Sequence, residues 1–174
     1  MNKLLFSLSF LFLLNGSLFA QSNKTLPELL SSHSFTSADG QSEKSLADIL
    51  AQHKGKVIYI DFWASWCGPC KKEMPSSKKL HEELGDEVVF LYLSVDDKAD
   101  AWQKALDKLE IRQTGEHWRR GGKDSKELLR FFYIYSIPHY LIVDTEGQFV
   151  DRDALRPSDP KAAKKLQKWV KKAK

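Results

Sequence analysis

The chain has 174 residues, 42% hydrophobic and 29% charged, with a formal net charge of +4; that is the size of one compact domain able to bury roughly two thirds of its unfolded surface. So small a positive excess argues against nucleic acid as a partner. Two cysteines, Cys67 and Cys70, with five histidines at no ligand spacing to them, are too few for a closed four-ligand zinc site.

The opening MNKLLFSLSFLFLLNGSLFA carries one lysine, an apolar and serine run from Leu4 to Leu14, then Asn15, Gly16 and the small Ala20. Residues 1–20 read as a cleaved secretory signal peptide. The run is shorter than the roughly 20 residues a membrane-spanning helix needs, although extension through Phe19 would let it serve as an uncleaved anchor. No cysteine stands near Ala20, so a lipid-anchored form is excluded for want of a thiol. The protein is expected in the periplasm or otherwise exported, where disulfides persist. Residues 21–34 are polar and read as a tether with about one helical turn, leaving 35–174 as the folded domain.

In that domain Asp39-Gly40 signals a hairpin, and Ser45 precedes Leu46, Ile49 and Leu50 at helical spacing. Three continuous apolar runs follow, VIYIDFWA from Val57, VVFLYLSVD from Val88 and HYLIVD from His139. Runs rich in β-branched and aromatic residues suit strands covered on both faces. Between them, Cys67–Leu84 and Ala99–Leu109 are helical in pattern. Ser125 is placed to cap a short helix through Leu128, Leu129 and Phe132, and Thr145–Gln148 reads as a turn. The tail sets Ala162, Leu166, Trp169 and Val170 on one stripe among lysines, an amphipathic closing helix. Alternating elements of this kind give a three-layer α/β domain. Gln113–Asp124, QTGEHWRRGGKD, reads as one long irregular piece, in which His117, Trp118, Arg119 and Arg120 either contact a client or form an ordinary surface loop.

Cys67 and Cys70 enclose only Gly68 and Pro69. As a structural staple, so short a loop is worth about 2 kcal/mol on chain-entropy grounds, little for a dedicated cross-link. As a metal clip it supplies two thiolates, which leaves open a soft copper(I) ion if the fold brings His139 close. As a redox centre the spacing has a direct purpose. With a strand ending at Trp63 and a helix starting at Cys67, the first sulfur meets unpaired amide N–H groups and the positive end of the helix dipole, which stabilise a thiolate. Cys70, one turn on, is placed to resolve a mixed disulfide on Cys67. Gly68 permits the tight turn, and Pro69 has no N–H to waste there.

The stretch DFWASWCGPC resembles the active site of thioredoxin, and CKKEMP resembles the exported TlpA/ResA-like branch of that superfamily; with FTSADGQ, HKGKV and SIPHYLIVD in order, the resemblance covers roughly Phe35–Lys172. It implies a thioredoxin-like three-layer α/β/α sandwich with a mixed central sheet, an N-terminal hairpin and a TlpA-type central insert. It further implies a thiol-disulfide oxidoreductase needing no cofactor beyond the Cys67–Cys70 disulfide. Pro138 matches the cis-proline facing the cysteines, Ile137 the residue whose backbone pairs with an extended substrate, and Trp63 and Trp66 the aromatic wall beside the disulfide. Pro75, within the helix, is expected to kink it. Asp61 matches the buried aspartate that takes a proton from the resolving thiol, and a charge inside VIYIDFWA has no bland role in a sheet. Glu73, three residues after Cys70 on the same helix face, matches a glutamate that tunes the thiols.

Gly-Pro between the cysteines resembles strongly reducing thioredoxin, near about −270 mV against about −120 mV for the oxidant DsbA, a gap of roughly 7 kcal/mol. A reductant in an oxidising compartment needs a membrane thiol donor, and the resemblance implies one of CcdA or DsbD type. The clients it implies are disulfide-containing exported proteins, including the C-x-x-C-H haem sites of apocytochromes c, met by a monomer. An oxidant or isomerase on the same chemistry, and a copper(I) chaperone using Cys67, Cys70 and His139, are the competing readings.

Overall fold

The computed structural model describes residues 24–121 and 126–172. The signal-peptide reading of 1–20 and the cap expected at Ser125 lie outside the described residues. Strands β1 (Ser34–Ser37), β2 (Glu43–Ser45), β3 (Val57–Trp63), β4 (Val88–Ser94), β5 (Glu116–Arg120), β6 (His139–Val143) and β7 (Phe149–Asp151) form one mixed sheet in the order β2-β1-β5-β4-β3-β6-β7. β3 is central: it runs parallel to β4 and antiparallel to β6. The hairpin of β1 and β2 turns at Gly40, whose φ of 72° suits glycine.

All seven residues of β3 are buried, as its unbroken apolar run requires, and its alternation divides the core in two. Val57, Tyr59 and Trp63 point to one face, where α3 (Gly68–Leu84), α4 (Ala99–Lys108) and α6 (Ala162–Lys172) cover them with Met74, Leu80, Trp102, Leu106 and Leu166. Ile58, Ile60 and Phe62 point to the other, under α1 (Leu26–Ser32), α2 (Leu46–Ala51) and α5 (Lys126–Phe131). The architecture is the three-layer α/β/α sandwich with a mixed sheet.

Two sequence expectations are corrected. The tether contains α1, whose Leu26, Leu29 and Leu30 lie at helical spacing, with Leu29 in the core beside Leu46 and Ile49. The Glu28 carboxylate accepts hydrogen bonds from the Thr25 N–H at 2.8 Å and its hydroxyl at 2.9 Å, closing the helix start. Polar neighbours hid a stripe of only three leucines. The irregular piece contains β5, inserted between β1 and β4, with His117 and Trp118 buried. Its five residues carry no apolar run because their flanking strands, not their own composition, define them as sheet.

Candidate active site

The turn from β3 into α3 carries the cysteines. Ser65 donates its N–H to Asp96 at 2.8 Å and its hydroxyl to the other carboxylate oxygen at 2.6 Å, while Ser94 donates to Asp96 at 2.7 Å. The Val95 N–H donates to the Trp63 carbonyl at 2.9 Å. Asp96, buried past the end of β4, thus pins the turn that presents Cys67. Sequence reasoning missed it; the Ser-x-Asp spacing at the end of an apolar run was the available signal, since such a pair satisfies backbone donors where a strand stops.

Cys67 is the N-cap of α3, and the Cys70 N–H donates to its Sγ at 3.1 Å. Gly68 and Pro69 fill the first two helical positions, where an amide has no helical acceptor. The two cysteines form a disulfide, with Cα atoms 5.3 Å apart. Cys67 keeps a sliver of exposure and Cys70 has none. Trp66 projects into solvent beside them, 66% exposed, whereas Trp63 is wholly buried in the same apolar cluster as both cysteines. α3 continues through Pro75 to Leu84.

The Ile137–Pro138 peptide is cis and lies opposite the cysteines, with Cys67 Sγ 3.7 Å from the Ile137 carbonyl oxygen. In the disulfide that sulfur has no hydrogen to donate; once reduced, a thiol could. His139 directs Nε2 at the Arg152 carbonyl, 2.7 Å away, so that nitrogen carries the hydrogen.

Asp61 lies on the face of Tyr59 and Trp63, whose apolar cluster includes both cysteines, opposite Tyr92 on one side and Tyr140 on the other. It is buried, and neither carboxylate oxygen has a partner among the described residues. Burial holds its pKa well above the usual carboxylate range, and the nearby negative charge of Glu73 adds to the effect. The phenols around it are shifted the same way: burial raises Tyr59, Tyr92 and Tyr140, and the charge of Asp61 adds to each. Tyr59 donates to the Leu155 carbonyl at 2.6 Å and Tyr92 shares a 2.7 Å hydrogen bond with Ser77, while the Tyr140 hydroxyl has no partner among the described residues.

Glu73 is also buried but fully occupied, accepting from the Ser158 N–H at 3.0 Å and its hydroxyl at 2.9 Å. The structure therefore sets Cys67 against Ile137 beside the cis Pro138, with Cys70 bonded to Cys67 and fully buried, and buries Asp61 and Glu73 close enough for the charge of one to act on the other. Ser158 was invisible in the sequence because nothing local marks a residue 85 positions from its partner.

Fold and site together define a dithiol–disulfide domain, with one sulfur at a helix start and its partner one turn behind. A family profile described as Thioredoxin-like matches residues 55–149, more than half of the chain. A crystal structure of a Bacteroides vulgatus protein classed as a thiol-disulfide oxidoreductase is similar, with a TM-score of 0.65 and 31% identity over 78% of this chain and 90% of that one. Thioredoxin of Coprinus comatus is 38% identical over 72 residues, 41% of this chain and 66% of its own length. Thiol-disulfide oxidoreductase ResA of Bacillus thuringiensis is 26% identical over 101 residues, 58% and 56% respectively. The matched part thus spans about half to two thirds of these curated relatives. The chain belongs to the thioredoxin-like family of thiol-disulfide oxidoreductases. Among the described residues no helix is long and apolar enough to cross a membrane.

Proposed function

We propose that the protein is an exported thiol-disulfide oxidoreductase that reduces disulfides of other exported proteins, apocytochrome c haem sites among them, and is recharged by a membrane thiol carrier of CcdA or DsbD type. The Cys67 thiolate attacks one client sulfur, forming a mixed disulfide and releasing the other client sulfur as a thiolate. The Cys70 thiol gives up its proton and attacks Cys67 Sγ, releasing the second client thiolate and leaving the Cys67–Cys70 disulfide. Two electrons pass to the client, which becomes a dithiol on taking up two protons.

One observation carries this reading: Cys67 caps α3, with Cys70 behind it, and the preceding strand carries a buried carboxyl that has no partner among the described residues. Asp61 is the better proton acceptor of the two acids, because both oxygens of Glu73 are occupied by Ser158. Burial raises the Asp61 pKa, which makes its carboxylate a stronger base toward the Cys70 proton.

Equilibration of the protein with redox buffers of known potential tests the direction. A value near about −270 mV supports the reductant, and one near about −120 mV replaces it with an oxidant or isomerase. A Cys70→Ser variant, exposed to the exported proteins of its own cell, should hold clients on Cys67 as mixed disulfides; recovery of none would overturn the reading.

A further inference from the structure

Besides Trp66, the described surface exposes two large aromatic side chains, Tyr133 at 66% and Tyr135 at 82%. Both stand on the segment that leads from α5 to the Ile137–Pro138 peptide. Tyr133 has a φ of 57°, in the left-handed region that glycine adopts freely and a side chain with a Cβ does not. Its position explains the angle but not the residue. Its N–H donates to the Arg130 carbonyl at 3.0 Å and the Ile134 N–H to the Leu129 carbonyl at 2.8 Å, the bonding that ends a helix and ordinarily calls for glycine. The ring recovers little by burial, so packing does not account for a tyrosine here.

Tyr133 and Tyr135 border a groove of about 590 Å³ that Ser136, His139, Arg152 and the carboxylates of Asp151 and Asp153 also line. The guanidinium of Arg152 stacks over the rings of Phe131 and Phe132, 5.3 and 5.7 Å from their centroids, and His139 is tied to the Arg152 carbonyl. The wall opposite the tyrosines is therefore held in place. Ser136 and His139 bracket Ile137–Pro138, so the groove continues from the point where Ile137 meets Cys67 Sγ. Tyr135 and Ser136 lie outside the helices and strands and make no loop or turn backbone hydrogen bond among the described residues, so their peptide groups can pair with an extended partner beside the Ile137 carbonyl that faces Cys67 Sγ.

We propose that this groove seats an aromatic side chain of an extended client segment, carried within a few residues of the client's disulfide cysteine, and that Tyr133 and Tyr135 set specificity for it. An extended chain paired along Tyr135–Ile137 turns alternate side chains to one side. The exposed tyrosine rings and the flat guanidinium of Arg152 offer stacking faces to a planar group. The proposal rests on the exchange reading above.

The test uses the reduced full-length protein with three disulfides: a peptide carrying Trp two residues from a cysteine, the same peptide with Ser in place of Trp, and hydroxyethyl disulfide, which has no flanking chain. The wild type should prefer the Trp peptide to the Ser peptide by roughly tenfold in kcat/KM, the scale set by a lost ring stack. Tyr133→Gly, which keeps the backbone angle, and Tyr135→Ala should each cut the ratio of kcat/KM for the Trp peptide over hydroxyethyl disulfide several-fold. Equal wild-type rates on the two peptides, or variants that leave that ratio unmoved, overturn the proposal. A wild type that reduces none of the three overturns the exchange reading and the groove with it.

Discussion

Ser158 grips both oxygens of Glu73, tying the start of α3 to the loop ahead of α6. The negative charge held there adds to the elevation of Asp61, with burial the larger cause. Glu73→Gln should therefore lower the Asp61 pKa part of the way toward the ordinary carboxyl value, visible as an earlier carboxyl ¹³C titration. Ser158→Ala leaves a buried carboxylate oxygen unpaired and should cost about 2 kcal/mol, read as a lower urea midpoint. An unshifted Asp61 titration in Glu73→Gln would sever the link between the two acids.

Asp61→Asn should act in opposite directions on stability and exchange. A carboxyl whose folded pKa is raised contributes full stability below the unfolded value near 3.8, and that stability is lost as pH rises toward the folded value. Relative to wild type, the oxidised variant should gain roughly 1 kcal/mol per pH unit above about pH 4 until Asp61 ionises in the fold. The resolving step should slow, so that mixed disulfides accumulate. Urea midpoints at pH 4 and pH 8 with stopped-flow resolution rates check both halves; parallel stability curves would show that Asp61 titrates like a surface group.

His117 carries the reverse dependence. Burial lowers its pKa to about 4; Nε2 donates to the Ile111 carbonyl at 2.7 Å, and the ring stacks on Tyr92 at 4.5 Å. Its neutral form contributes stability that is complete above about pH 6.5 and is lost as pH falls through about 4, up to about 3 kcal/mol. His117→Phe keeps the stack but loses one hydrogen bond, so it should be about 1 kcal/mol less stable at pH 7 with a flatter decline toward pH 4. The slope of urea stability against pH over that window decides the matter.

In the reduced protein Cys67 should be alkylated by iodoacetamide faster at pH 7 than free cysteine, because the first turn of α3 favours its thiolate. Cys70, with no exposed surface, should react only in denaturant. Mass spectrometry of a timed quench assigns each site, and equal labelling of the two sulfurs would contradict the geometry of the cap.

Much of this arrangement was legible in the chain. Val57–Trp63, Val88–Ser94 and His139–Val143 announce buried strands because a strand covered on both faces must be apolar throughout, and Cys67-Gly-Pro-Cys70 after the first of them places a sulfur at a helix start. Asp61 stood out as a charge where none belongs. What the tertiary structure alone decided are the features that depend on distant neighbours. β5 is a strand because β1 and β4 flank it, and α1 is a helix because its three leucines find the second apolar core. Asp96 and Ser158 matter because folding brings them to Ser65 and Glu73. Local periodicity encodes a segment's own burial, whereas the partner of a polar group is chosen only when the chain closes on itself, since no nearby residue competes for it in sequence.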